Sequence, residues 1–241
     1  MSPSVIEEHI AKVRAQVEVA CQRVGRQASE VKILAVSKTQ PAEAIRLAAT
    51  QAQQLAFGEN YLQEALEKQA ALTDLNLEWH FIGALQSNKT RAVAEHFAWV
   101  HTVAREKIAR RLSEQRPADL PPLQVLLQVN ISGEASKDGV APQDLFALAE
   151  QVAGLPRVSL RGLMCIPAAT DDPLAQRAAF AQLHGLFVKL KGLGLDHPLD
   201  TLSMGMSADL EAAIAEGSTL VRIGTAIFGA RQRGAVSSSH S

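Results

Sequence analysis

Apolar residues in this chain follow two alternating patterns. Short runs rich in Val, Ile and Leu, apolar at nearly every position, are separated by longer stretches in which apolar residues recur every three or four positions. The first kind reads as strands buried on both faces, the second as amphipathic helices. Strand-like runs fall at 31–37, 54–58, 79–83, 99–103, 123–130, 159–166, 199–204 and 219–223. Helical patterns lie between them at 42–51, 61–71, 89–96, 105–114, 142–153, 174–190 and 208–216. Ile6, Ile10, Val13, Val17 and Val24 add a helix ahead of the first strand, which Gly25 is placed to end.

No two strand-like runs are joined by a hairpin signal. Repeated β-then-α order therefore predicts a parallel sheet, and eight strands predict its closure into a single-domain TIM-type (β/α)8 barrel with an extra N-terminal helix. A doubly wound open sheet is the alternative fold. A length of 241 residues suits one α/β domain. The expected domain is 1–232, and 233–241, rich in Ser and small residues, is expected to be a flexible tail.

Composition narrows the function classes. Lys and Arg total 24 against 25 Asp and Glu, so no general attraction to nucleic acid or an anionic membrane is expected. The acidic start lacks the charge order of a signal peptide, and no segment is apolar enough to span a bilayer, so a cytoplasmic location is expected. Cys21 and Cys165 lie far apart with no metal-ligand spacing, so neither a disulfide nor a metal site is expected. Dinucleotide, P-loop and zincin motifs are absent from the sequence.

In a parallel barrel, chemistry gathers at the C-terminal ends of the strands. The first run delivers Ser37 and Lys38 to that rim, with Pro41 opening the next helix. A lysine desolvated there can supply a neutral amine for a Schiff base, although by itself the position reads more readily as an ordinary solvated lysine. The last run holds Arg222 inside an apolar strand, followed by Gly224 and Thr225. Loops after strands seven and eight are the frequent phosphate site of such barrels. The plainer alternative is a Gly-Thr turn with Arg222 paired to a core carboxylate. After strand seven, Ser207 stands where an N-cap or a phosphate donor would. Asn60 or Glu59 follows strand two as a helix cap or ligand contact, beside Tyr61, the only tyrosine in the sequence, while His80, within strand three, reads as a packed or hydrogen-bonded histidine.

KILAVSKTQP, LAFGENYLQEA, WHFIGALQSNK, VNISGEASKDG, RGLMCI, LSMGMSADLEAAI and VRIGTAIFG occur in this order. Together they resemble the YggS/PROSC-like pyridoxal phosphate homeostasis family, related in fold to the N-terminal barrel of alanine racemase. The resemblance implies that Lys38 holds pyridoxal 5'-phosphate (PLP) as a Schiff base. It implies further that Ser207, Gly224 and Thr225 cradle the phosphate, that Arg222 faces the pyridine nitrogen, and that Asn60 and Met164 lie near the ring. Gln40 departs from the pattern, because many relatives carry a second lysine there. An arginine partner only donates, so the ring nitrogen opposite stays an unprotonated acceptor and the ring a weak electron sink. A non-catalytic carrier handing PLP to apo PLP-dependent enzymes, and a monomer, are expected. An alanine-racemase-type enzyme and a PLP-free Schiff-base aldolase are the alternatives.

Overall fold

The computed structural model describes residues 3–230. The tail expected at 233–241 and the ends of the expected domain lie outside the described residues. Strands β1 (Lys32–Val36), β2 (Ala56–Glu59), β3 (Glu78–Phe81), β4 (Trp99–Val103), β5 (Leu123–Gln128), β6 (Val158–Met164), β7 (Thr201–Ser203) and β8 (Leu220–Ile223) form a closed barrel in chain order. All eight pairings are parallel, and closure sets Leu34 of β1 opposite Arg222 of β8.

The helices are α1 (Pro3–Arg23), α2 (Ala42–Ala52), α3 (Leu62–Ala71), α4 (Thr90–His96), α5 (Glu106–Gln115), α6 (Leu145–Ala153), α7 (Pro173–Lys191), α8 (Leu210–Ala215) and α9 (Thr225–Phe228). In α1, Ile6, Ile10, Val13 and Val17 are buried and pack on the cluster shared with α2, α8 and α9. Each such side chain contributes roughly 1.5–3 kcal/mol by leaving water. Val24, expected on this face, lies beyond the helix end and is exposed. The one-turn α9 after Gly224 has no counterpart in the periodicity, since four residues are too few to show one.

Two departures from the expected strands have identifiable reasons. Strand two starts at Ala56 rather than 54, because Gln53 turns left-handed at φ 53° and the buried Gln54 amide donates to the carbonyls of Ile33 and Ala56. Strand six carries an extra residue: Val125 faces Leu160 and Leu126 faces Gly162, so Arg161 is skipped in the ladder. Gly162 follows at φ 149°, and a Cβ there would sit 1.8 Å from the Thr201 carbonyl oxygen of β7, so no side chain fits.

Alternation along the strands divides the core. Outward residues pack under the helices in two large clusters. Inward residues fill the barrel with two smaller apolar groups, Leu34, Ala56, Ile82 and Leu220 on one side and Trp99, Leu126 and Met164 on the other. Polar His80, His101, Ser203 and Arg222 are buried there as well. Among the described residues no helix is long and apolar enough to cross a membrane.

Candidate functional site

A cavity of about 370 Å³ opens at the C-terminal mouth of the barrel. Lys38, Asn60, Ser207, Arg222, Gly224 and Thr225 all line it, drawn from the ends of β1, β2, β7 and β8. Ile82 forms part of its wall, and exposed Ile166 and Met206 make its rim apolar. A hollow of similar size between α1, α7 and α8 also touches Ser207. That one brings no strand end together and is bordered by the exposed Arg23–Glu211 ion pair.

The backbone on either side of Lys38 is held by side chains of one helix. Lys68 of α3 is buried and donates to the Ser37 carbonyl at 2.7 Å and to Glu59 Oε1 at 2.7 Å, and pairs with Glu64 at 2.6 Å. Ser37 Oγ donates to the same Glu59 oxygen at 2.7 Å. On the far side, the Thr39 N–H donates to Glu64 Oε1 at 2.5 Å. Thr39 sits at φ 66°, a left-handed conformation that a β-branched residue rarely adopts and that costs on the order of 1–3 kcal/mol. Burial pushes the Glu59 carboxyl above its ordinary value, against the pull of Lys68 and the Ser37 hydroxyl. Lys38 therefore leaves the barrel from a braced segment, with residues 37 and 39 both tied to α3.

Arg222 is buried without a carboxylate in contact, contrary to the plainer reading of the sequence. Its Nη1 donates to Ser203 Oγ at 2.7 Å and its Nη2 to the Cys165 carbonyl at 3.0 Å. Burial lowers its affinity for the proton, yet a guanidinium remains charged in proteins. Two fixed contacts thus leave the cation at the cavity wall as a pure donor. The Cys165 thiol belongs to the outer cluster and is pushed up to about 12 by burial.

The loops after β7 and β8 supply hydroxyls and open backbone. Gly205 holds φ 102°, and a Cβ there would lie 2.5 Å from the Ala213 Cβ, so glycine lets this loop pack against α8. Of the two readings of Ser207, the helix cap does not hold: α8 begins at Leu210, and Asp209 accepts the Met206 N–H at 2.7 Å. Ser207 lines the cavity. Glu59 and Asn60 do not cap α3 either, since Tyr61 occupies that position with no side-chain hydrogen bond. Asn60 Oδ1 is buried with no hydrogen-bond partner, a cost of roughly 1–3 kcal/mol unless a ligand satisfies it.

Met164 is placed apart from these residues. It is fully buried inside the barrel with Trp99 and Leu126 and is not among the cavity's lining residues. The sequence reading did not pick out Ser203, Cys165 and Lys68. Lys68 had a local signal, since it lies three residues after Ala65 and four before Leu72, on the apolar face of its helix. Among the described residues no cluster of His, Cys, Asp and Glu has the makings of a metal site.

The arrangement is an amine at a braced strand end, a fixed cation and a pair of hydroxyl-bearing loops around one cavity. It suits a small anionic carbonyl compound. Residues 9–232 match the family model described as alanine racemase, N-terminal domain. The barrel is thus of the alanine racemase N-terminal class. A pyridoxal phosphate homeostasis protein of Pseudomonas aeruginosa is 64% identical over 235 residues, spanning 98% of this chain and 100% of the relative. One of Vibrio cholerae is 60% identical over 94% of this chain and 96% of the relative. The chain belongs to the pyridoxal phosphate homeostasis protein family. PipY of Synechococcus elongatus, solved with PLP bound, superposes with a TM-score of 0.82 at 40% identity, over 93% of this chain and 100% of PipY. Alanine racemase of Corynebacterium glutamicum shares the fold at 20% identity and a TM-score of 0.68, over 95% of this chain and 62% of the racemase.

Replacing Lys68 with methionine would leave Glu59 buried without its cationic partner and free the Ser37 carbonyl. Urea unfolding should show a loss of about 3 kcal/mol. A loss under about 1 kcal/mol would show that the network does not brace the segment around Lys38.

Proposed function

We propose that this chain binds PLP covalently but reversibly through Lys38 and serves intracellular PLP homeostasis as a carrier without turnover. The observation that carries the reading is the convergence of Lys38, Arg222, Asn60 and the two hydroxyl loops on one cavity. When bound, PLP supplies an aldehyde that condenses with an amine and a phosphate that needs donors. The residues present fit both needs. Lys38 supplies the amine, and Ser207, Thr225 and the backbone at Gly224 supply phosphate donors beside a position without a side chain. The orphaned Asn60 Oδ1 offers a polar contact to the ring substituents. Met164, deeper in the barrel, would support the ring's surroundings from behind the cavity wall.

Arg222 favours retention over turnover. A donor that cannot be deprotonated keeps the ring nitrogen an acceptor, which weakens the ring's capacity to stabilise a carbanion. A racemase would also need a second base, and Tyr61, the one tyrosine in the sequence, is exposed and not among the cavity's lining residues. The mouth of the cavity, with its apolar rim, is where apo PLP-dependent enzymes would receive the cofactor, and the carrier acts as a monomer.

Purified protein loaded with PLP should show a visible absorption band that borohydride removes, fixing a phosphopyridoxyl mass on Lys38. The band should be lost in Lys38→Ala, and loaded protein should not exchange amino-acid α-protons in D2O. A reduced adduct on another residue overturns the assignment, and steady α-proton exchange overturns the carrier reading. Ser207→Ala and Thr225→Val should each weaken PLP retention about tenfold while changing pyridoxal retention little; equal losses for both ligands would remove the phosphate contact. Light scattering should give one chain per particle, and an apo-enzyme should gain PLP faster than a small-molecule trap takes it. Equal rates would mean release into solution rather than direct handover.

A further inference from the structure

A continuous file of buried polar side chains crosses the barrel interior from the cavity to the opposite end. Arg222 Nη1 is 2.7 Å from Ser203 Oγ, which is 2.9 Å from His101 Nδ1. His101 Nε2 is 2.8 Å from His80 Nδ1, and His80 Nε2 is 2.7 Å from Glu78 Oε1. Lys32 pairs with that same carboxylate oxygen at the N-terminal end of β1. Ser203, His80 and His101 have no solvent exposure and Arg222 has 5%, so bulk water does not substitute for the links among these four, while Glu78 at the far end is partly exposed. His80 also stacks on Trp99 with ring centroids 5.2 Å apart and planes 7° from parallel, which fixes the imidazole plane.

The two charged ends determine the direction of every hydrogen bond. A guanidinium only donates and an ionised carboxylate only accepts. Glu78 is held ionised, its carboxyl pulled down to about 2 by His80 and Lys32, and burial keeps both histidines neutral at ordinary pH, His80 at about 4. His80 must then donate from Nε2 to Glu78 and accept at Nδ1. His101 must donate from Nε2 and accept at Nδ1, and the Ser203 hydroxyl must donate to it. The lone pair left on Ser203 Oγ faces Arg222. Reversing any one link would set two donors or two acceptors against each other in a dry interior, at roughly 1–3 kcal/mol for each group left unsatisfied.

We infer that Glu78, His80, His101 and Ser203 are positioning residues for Arg222: they fix the orientation of its guanidinium from the far end of the barrel, and with it the donor presented to the ring nitrogen of PLP. This rests on the carrier reading of the site. None of the four is placed to touch the ligand. Their contribution is a hydrogen-bond polarity locked before the ligand arrives, so that the ring nitrogen meets a donor and holds no proton of its own.

The test has one arm that needs no cofactor. In apo protein, nitrogen-15 imidazole spectra at pH 7, assigned through His80→Gln and His101→Gln, should show both rings as neutral Nε2–H tautomers. An Nδ1–H tautomer or an imidazolium at either ring overturns the inference. In the loaded protein, Ser203→Ala should shift the visible maximum and raise the PLP dissociation rate about tenfold, and Ser203→Thr should restore both. Glu78→Gln, at the opposite end of the barrel, should move both readouts in the same direction by less. Should Ser203→Ala not fold, the Glu78→Gln shift decides. An unchanged maximum and rate in the folded variants, with the Lys38 adduct intact, would overturn the inference and spare the carrier reading. Absence of any Lys38 adduct would remove the carrier reading, and the tautomers in apo protein would still stand or fall alone.

Discussion

Closure of the sheet between its first and last strands is the constraint on which the site depends. β1 and β8 lie at opposite ends of the described chain, yet their parallel register sets Ala35 beside Ile223. The chain then runs on through Ser37 and Lys38 on one side and Gly224 and Thr225 on the other, so the amine and the phosphate-type loop leave the barrel as neighbours. A doubly wound open sheet places its first strand near the middle and its last at an edge, so it would hold these groups apart. The doubly wound alternative therefore fails on topology and also as a frame for this cavity.

The barrel interior then divides its labour between apolar filling and polar bracing. Leu34, Ala56, Ile82 and Leu220 fill space on one side and Trp99, Leu126 and Met164 on the other, and the file from Arg222 to Glu78 runs through the same interior. A second polar system, outside the barrel wall, ties Lys68 and Glu64 to the backbone around Lys38. Both systems bury charge, which is costly unless every partner is present. Both end at a residue of the cavity. The expenditure of stability is thus concentrated where geometry has to be kept, and the strained Thr39 fits the same pattern.

Much of this was legible in the sequence, for a definite reason. Strands covered on both faces remain apolar at nearly every position, so a charge at the end of such a run, Lys38, or inside it, Arg222, stands out against its background. Strand boundaries were harder, because inward polar residues interrupt the signal: β7 shrinks to three residues that include Thr201 and Ser203. The supporting groups were hidden for a different reason. Ser203 and His101 are 102 residues apart and Lys68 and Ser37 are 31 apart, so neither link leaves a local trace. Ser207 shows the limit of local rules, since a serine placed to cap a helix faces a cavity while Asp209 holds the turn.

Cys165 illustrates how one residue can be divided between two faces of a barrel wall. Its carbonyl steadies Arg222 on the inside, while its sulfur lies among the outer apolar side chains with its proton firmly held. A thiolate beside a bound aldehyde would compete with an amine and form a thiohemiacetal. Facing its sulfur away from the cavity removes that competitor, so a carbonyl compound held there as proposed would meet nitrogen rather than sulfur.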